Sequence, residues 1–208
     1  MAEQLGSAAS RRLTPMRDEG LDPEQRAMWD AIAAGPRAAT AVREGGQLTG
    51  PFDVLLRSPG IGLAVSELGA RLRFDSSLDL YETELVIVTV AGHWHARYAW
   101  LRHEIYAAHE GIPAEVVAAI ARGDRPVLES PRDQALHTVV RQLLATGAVD
   151  DHAYAAALAA LGERKLIDAV ALTGYYCLSS FLLNTFDVPL PVGETAPWDD
   201  LHHRKETP

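Results

Sequence analysis

The chain has 208 residues, 48% of them apolar and 23% charged. That is the composition of a soluble globular protein long enough to bury its own core without a disulfide framework or a structural metal. Its 28 acidic and 19 basic residues give a formal charge of -9, which argues against nucleic acid, whose phosphates need a basic footprint. The single cysteine, Cys177, admits neither an internal disulfide nor a CxxC redox pair, which fits a reducing, cytoplasmic setting. Met1 to Arg12 carries no apolar stretch of the kind a targeting signal uses.

Residues 1–20 are polar and mixed in sign and are expected to form a flexible arm. Asp22-Pro23-Glu24-Gln25 then supplies an N-cap, a first-turn proline and a capping-box glutamine. Met28, Trp29 and Ile32 follow at helical spacing, and Gly35-Pro36 ends the helix. Residues 35–50 are glycine-rich and read as irregular. Pro51 to Arg57 is a short helical piece, and Ser58-Pro59 opens another with Ile61, Ala64, Val65, Leu68 and Leu72 as its apolar stripe.

Thr83 to His109 is helical in pattern, with a break expected near Gly92. Leu85 to Ala91 is β-branched enough to suggest a strand, but its flanks are helical and it has no partner strand. Pro113 starts a helix that ends near Gly123, and Ser130-Pro131-Arg132-Asp133 caps one that stops near Gly147. Asp151 to Leu161 and Glu163 to Phe186 follow, separated by Gly162, and Pro189 and Pro191 end the regular structure. Leu166 to Phe186 has roughly the 20 residues that span a bilayer. It carries Asp168, Ser179, Ser180 and Asn184, so it reads as a core helix with no membrane role. The expectation is an all-α protein: a single domain over 21–190 with a central helical hairpin, and an irregular tail over 191–208.

Chemistry concentrates between Glu84 and His103. His93, Trp94, His95, Tyr98, Trp100 and His103 fall within eleven residues. Glu84 is followed by Leu85, Val86, Ile87 and Val88, and a carboxylate among such neighbours needs solvent or a partner. Histidine is the natural one, because its pKa near 6.5 lets it exchange protons at working pH. The histidines do not make a metal cage: His93 and His95 point about 200° apart on a helix. There is also no His-Glu-x-x-His and no cysteine cluster. Tyr176, Ser180 and Asn184 are spaced four apart, a polar stripe on an otherwise apolar helix. Trp94 reads as a wall, Cys177 as an inert core thiol, and His109, His202 and His203 as exposed.

Glu84, His93 nine residues on, Tyr98-Ala99-Trp100, and His103 nineteen after Glu84 make a register that resembles the carboxymuconolactone decarboxylase and AhpD-like superfamily. Gly50-Pro51-Phe52, Pro59, Leu72-Arg73-Phe74 and Asn184-Thr185-Phe186 are similar to further signatures of that superfamily, over about residues 48–190. Its peroxidase branch carries a Cys-x-x-Cys pair where this chain has Ala96 and Ala99. Without two thiols no disulfide forms there, which excludes that chemistry. Ala99 also stands where many decarboxylase-like members have a glutamate.

The resemblance implies an AhpD-like helical bundle, self-association as a homotrimer or a multiple of it, and a small-molecule substrate. It also implies a cofactor-independent lyase that decarboxylates a small lactone or keto acid of the 4-carboxymuconolactone kind. His103 would donate or relay the proton, Glu84 would orient it, and Tyr98 or His93 would donate to the substrate carbonyl. Arg73 would hold a carboxylate, with Phe52, His95, Trp100, Tyr176 and Asn184 as further substrate contacts. Two other readings stay open: an isomerase or hydrolase on the same scaffold, and a non-catalytic oligomeric binding protein.

Overall fold

The computed structural model describes residues 12–43 and 45–198. Its helices are α1 (Pro23–Ala33), α2 (Ala38–Ala41), α3 (Pro51–Leu55), α4 (Pro59–Phe74), α5 (Leu80–His93), α6 (Arg97–His109), α7 (Ala114–Ala121), α8 (Pro131–Thr146) and α9 (Asp151–Thr185). Among the described residues there is no strand, only an isolated antiparallel bridge between Val42 and Leu48. His202 and His203 lie outside the described residues, as do residues 1–11 of the expected arm and 199–208 of the tail.

The β-branched run that resembled a strand is the middle of α5. The capping box of Asp79 and Glu82 starts this helix: Glu82 N–H donates to the Asp79 carboxylate at 2.8 Å and Asp79 N–H to the Glu82 carboxylate at 2.9 Å. Every residue from Glu82 to Gly92 is buried. A helix apolar all round belongs at the centre of a bundle, and α5 packs against α6, α7, α8 and α9. Each of its fully buried Leu, Ile and Val side chains contributes roughly 1.5–3 kcal/mol relative to exposure.

The hairpin bends later than the sequence suggested. Gly92 lies inside the last turn of α5, pressed against Ile120. The chain reverses at Trp94–Ala96, where His95 takes a φ of 48°. Ala96 N–H donates to Ala91 O at 2.9 Å, and the Asn184 side-chain amide donates to Trp94 O at 2.8 Å, so the bend is tied to both its own helix and α9.

Two further expectations change. Residues 35–50 contain the short helix α2. The apolar stripe read on α4 is only partly its buried face: Leu72 is buried and Val65 packs on the core, but Ile61, Ala64 and Leu68 are exposed and Gly62 and Gly69 are buried instead. The two glycines sit where Met28 and the Tyr175 hydroxyl press against the helix, leaving no room for a Cβ. Met28, Ile32, Ala41, Leu48, Leu55 and Leu56 form a small second core, with α1 laid on α4.

The two last predicted helices are separated at Gly162 as the sequence indicated: its φ of 77° and ψ of 166° lie outside the helical range and kink α9 there. By length and composition α9 could cross a membrane. In the fold it packs along α8 and α5 and buries Thr173, Tyr175, Tyr176 and Ser180. The described part of the tail is irregular but anchored. Trp198 is buried, donates to Ala121 O at 3.0 Å, and meets Trp100 edge-on and His95 face-on.

Candidate active site

The hairpin brings together Glu84, in the second turn of α5, and His103, midway along α6. Glu84 is 1% exposed. One carboxylate oxygen accepts from Arg73 Nη2 at 2.9 Å and the other from His103 Nδ1 at 2.6 Å. The far ring nitrogen of His103, Nε2, lies 3.3 Å from the Tyr176 hydroxyl. A carboxylate this deeply buried needs such partners to offset its desolvation. Because it accepts on both oxygens, the neutral ring carries its proton on Nδ1, and Nε2 offers a lone pair to the phenol. The result is a continuous chain from Arg73 through Glu84 and His103 to Tyr176.

Burial pushes the His103 pKa below the ordinary histidine value, and Arg73 and Arg102 push the same way; the bond to Glu84 opposes them without winning. Burial also pushes the Tyr176 phenol well above its ordinary range, so the hydroxyl keeps its proton. At neutral pH the pair therefore rests as a neutral imidazole accepting from a neutral phenol.

The chain ends in a cavity of about 330 Å³, walled by Phe52, Arg73, Tyr98, His103, Tyr106 and Tyr176 among others. That volume is at the small end of the roughly 300–1,000 Å³ range of small-molecule sites. Arg37 and Arg102 also line it, and among the described residues no carboxylate does.

The expected site residues divide into two groups. Glu84 and His103 are in contact. Tyr98, Phe52, Tyr176 and Arg73 face the cavity, although Arg73 is already committed to Glu84. His93, His95, Trp100 and Asn184 do not line it. His93 and His95 are exposed at the hairpin bend, His93 edge-on to Trp94 and His95 stacked on Trp198. His93 is nine residues after Glu84 on the same helix, which turns it about 180° away. Trp100 is 1% exposed and donates to a Glu104 carboxylate oxygen at 2.7 Å, on the side facing Trp198. Asn184 is exposed and spends its amide on the bend. The stripe on α9 thus splits: Tyr176 reaches the cavity and Ser180 is wholly buried, its hydroxyl without a partner.

Arg37, Arg102, Tyr106 and Tyr175 also line the cavity and were not singled out in the sequence. Arg102 had a signal, since it adjoins His103. Arg37 had none: it lies in a stretch without periodicity and reaches the cavity only through the fold.

No protein-family model matches this chain, and no curated protein matches it significantly. Solved structures do. A peroxidase-related protein from a Silicibacter species superposes with a TM-score of 0.69 at 11% identity, covering 90% of this chain and 95% of that one. A protein from Ralstonia eutropha described as an alkylhydroperoxidase AhpD core gives 0.68 at 16% identity, covering 88% and 93%. The debrominase Bmp8, solved with 2,3,4-tribromopyrrole, gives 0.63 at 13% identity, covering 91% and 95%. This chain has the AhpD-like fold. At the positions where the peroxidase branch resembled in sequence carries its thiols, the AhpD-like fold here holds Ala96 and Ala99, both buried. Its one cysteine, Cys177, is half-buried on α9, accepts from Trp94 Nε1 at 3.3 Å, and has its thiol pKa raised by burial. Among the described residues, no three His, Cys, Asp or Glu side chains converge as a metal site.

Proposed function

We propose that this protein is a cofactor-independent carboxy-lyase acting on a small carboxylated lactone or keto acid, with Glu84, His103 and Tyr176 as its proton relay. The observation that carries the reading is the buried hydrogen-bonded chain ending in an arginine-lined cavity. The reacting bond joins the substrate carbon to its carboxylate. When it breaks, carbon dioxide leaves and the electron pair passes into the adjacent unsaturated carbonyl as an enolate. The Tyr98 phenol on the wall suits the developing oxyanion, leaving Tyr176 for the proton.

A proton must then replace carbon dioxide. Arrival of an anionic substrate raises the proton affinity of His103, opposing the effect of burial. Tyr176 O–H can then deliver its proton to the carbon while the His103 imidazolium refills the phenol from Nε2 and Glu84 keeps the ring aligned. One solvent proton is consumed per carbon dioxide released. No step draws on a metal or a thiol, so dialysis against a chelator should leave turnover unchanged.

The depressed pKa of His103 favours one second reading, an isomerase in which the neutral ring acts as base through Tyr176. A panel of carboxylated lactones and keto acids in deuterated water separates the two. The lyase releases carbon dioxide and leaves one deuterium at the vacated carbon. The isomerase gives deuterium exchange without gas, and neither result with any panel member rejects both.

The proposal includes self-association as a trimer or a multiple of it. Ile167, Val170, Leu178 and Phe181 on α9 and Ile61 and Leu68 on α4 are exposed apolar side chains. Exposed apolar side chains in such number are the kind that a partner covers.

A further inference from the structure

We infer that Arg37 and Arg102 form a specificity-determining clamp that holds a second, non-reacting acidic group of the substrate. The inference rests on the reading above that the cavity takes a small carboxylated molecule. Arg57, Arg71, Arg97, Arg122 and Arg132 each pair with a carboxylate. Arg73, inside the cavity wall, is matched by Glu84. Arg37 and Arg102 also line the cavity, yet among the described residues neither pairs with a carboxylate. In a chain with 28 acidic and 19 basic residues, two such arginines on one small cavity leave it with a positive surplus. A substrate whose only charge is the carboxylate it loses would leave that surplus unmatched after reaction.

The pair is also prepared for an anion. Arg37 donates to the Ser66 hydroxyl at 2.9 Å and to the Ser66 carbonyl, and its Nη1 lies 3.4 Å from the Tyr175 hydroxyl. Its guanidinium lies 4.8 Å from the centre of the Phe52 ring. These contacts fix the planar fork before any ligand binds, which lowers the ordering cost of binding. All of them are to neutral groups, so the charge itself remains available. Among the described residues Arg102 makes a single long bond, 3.3 Å to Thr40 O, and it adjoins His103 on α6. An acidic group bridging the two arginines would orient the rest of the molecule against the relay.

Binding tests this without turnover. The probes are benzene-1,3-dicarboxylate, its mono-amide 3-carbamoylbenzoate and inorganic phosphate, titrated calorimetrically into the full chain. The native protein should prefer the dicarboxylate over the mono-amide by roughly tenfold or more, the value of one charge-assisted hydrogen-bonded pair. Arg37→Met and Arg102→Met should each reduce that preference to less than about threefold, Arg37→Lys should retain part of it, and Arg71→Met, on the exposed surface, should leave it intact. Arg102→Met removes only one long hydrogen bond, so it keeps the test decisive should Arg37→Met fail to fold. Equal binding of dicarboxylate and mono-amide by the native protein, an unchanged preference in Arg102→Met, or phosphate binding as tightly as the dicarboxylate would overturn the clamp. Loss of the clamp with carbon dioxide release intact rejects this inference alone; an intact preference without release from any substrate rejects the lyase reading alone.

Discussion

The Glu84 carboxylate and His103 Nδ1 meet at 2.6 Å although nineteen residues separate them. On a straight helix that separation would span nearly 30 Å. The hairpin at Trp94–Ala96 closes it, and α9 holds the hairpin closed through Asn184. The contact that defines the site is therefore a product of the bend, and both residues are buried by the elements that make the bend.

His103 titration should report its neighbours. Burial depresses its pKa, Glu84 opposes that, and Arg102 adds to it. Nitrogen-15 resonances of the imidazole in the free protein should therefore titrate below the ordinary histidine value. Glu84→Gln should move the midpoint lower still, and Arg102→Met should move it higher. A midpoint unmoved by Glu84→Gln would break the link between the two residues.

Arg73 is expected to serve stability before it serves substrate. It shares the Glu84 carboxylate with His103, and Glu84 is 1% exposed. Removing one partner of a buried pair typically costs roughly 3–5 kcal/mol. Arg73→Met should therefore lower the midpoint of urea unfolding substantially, whereas Arg71→Met, in an exposed pair, should stay within about 1 kcal/mol. Similar midpoints for the two variants would show that Glu84 finds compensation elsewhere.

The helices were largely legible in the sequence because caps and prolines mark their starts. Asp22 and Ser130, read as N-caps in the sequence, do accept from the backbone. Asp79, which was not singled out, caps α5, whose first residue Leu80 lies three before the start expected at Thr83, and Asp150 caps α9. The Glu84–His103 register was legible as well, through resemblance. Other features arise from packing that no local signal reports. The break was placed at Gly92 because glycine commonly interrupts helices; here it lets Ile120 come close. His93 drew attention by its residue type, but its helical phase relative to Glu84 turns it outward. Arg37 is the reverse case, a residue without a motif that α1 and α4 deliver to the cavity.

Acid should expose a second buried histidine. His137 is 4% exposed, its Nε2 has no partner, and burial, with Arg141 and Arg125, lowers its pKa to about 4. Its folded pKa lies below its unfolded value near 6.5. The unfolded chain therefore binds the extra proton first, and stability falls as pH drops from about 6.5 towards 4. The full loss from this one group is roughly 3 kcal/mol. His137→Leu should flatten the pH dependence of the melting temperature across that window. An unchanged slope would place the acid sensitivity in other groups.

Self-association should be visible by light scattering at micromolar concentration as a mass of three chains or a multiple. Replacing Ile167 and Phe181, both exposed on α9, with serine should shift the mass towards the monomer. A monomeric native protein would contradict the proposal.

The central claim is that Glu84 and His103 act as one unit on a proton. It is tested most directly by a double-mutant cycle on turnover, read as carbon dioxide release from whichever panel substrate the native protein accepts. Glu84→Gln and His103→Ala should each slow turnover by roughly 10²–10⁴-fold, the range of acid–base groups. The double variant should be within about threefold of the slower single, because groups acting as a unit are not additive. Losses that multiply, or near-native turnover in either folded single variant, would contradict the account.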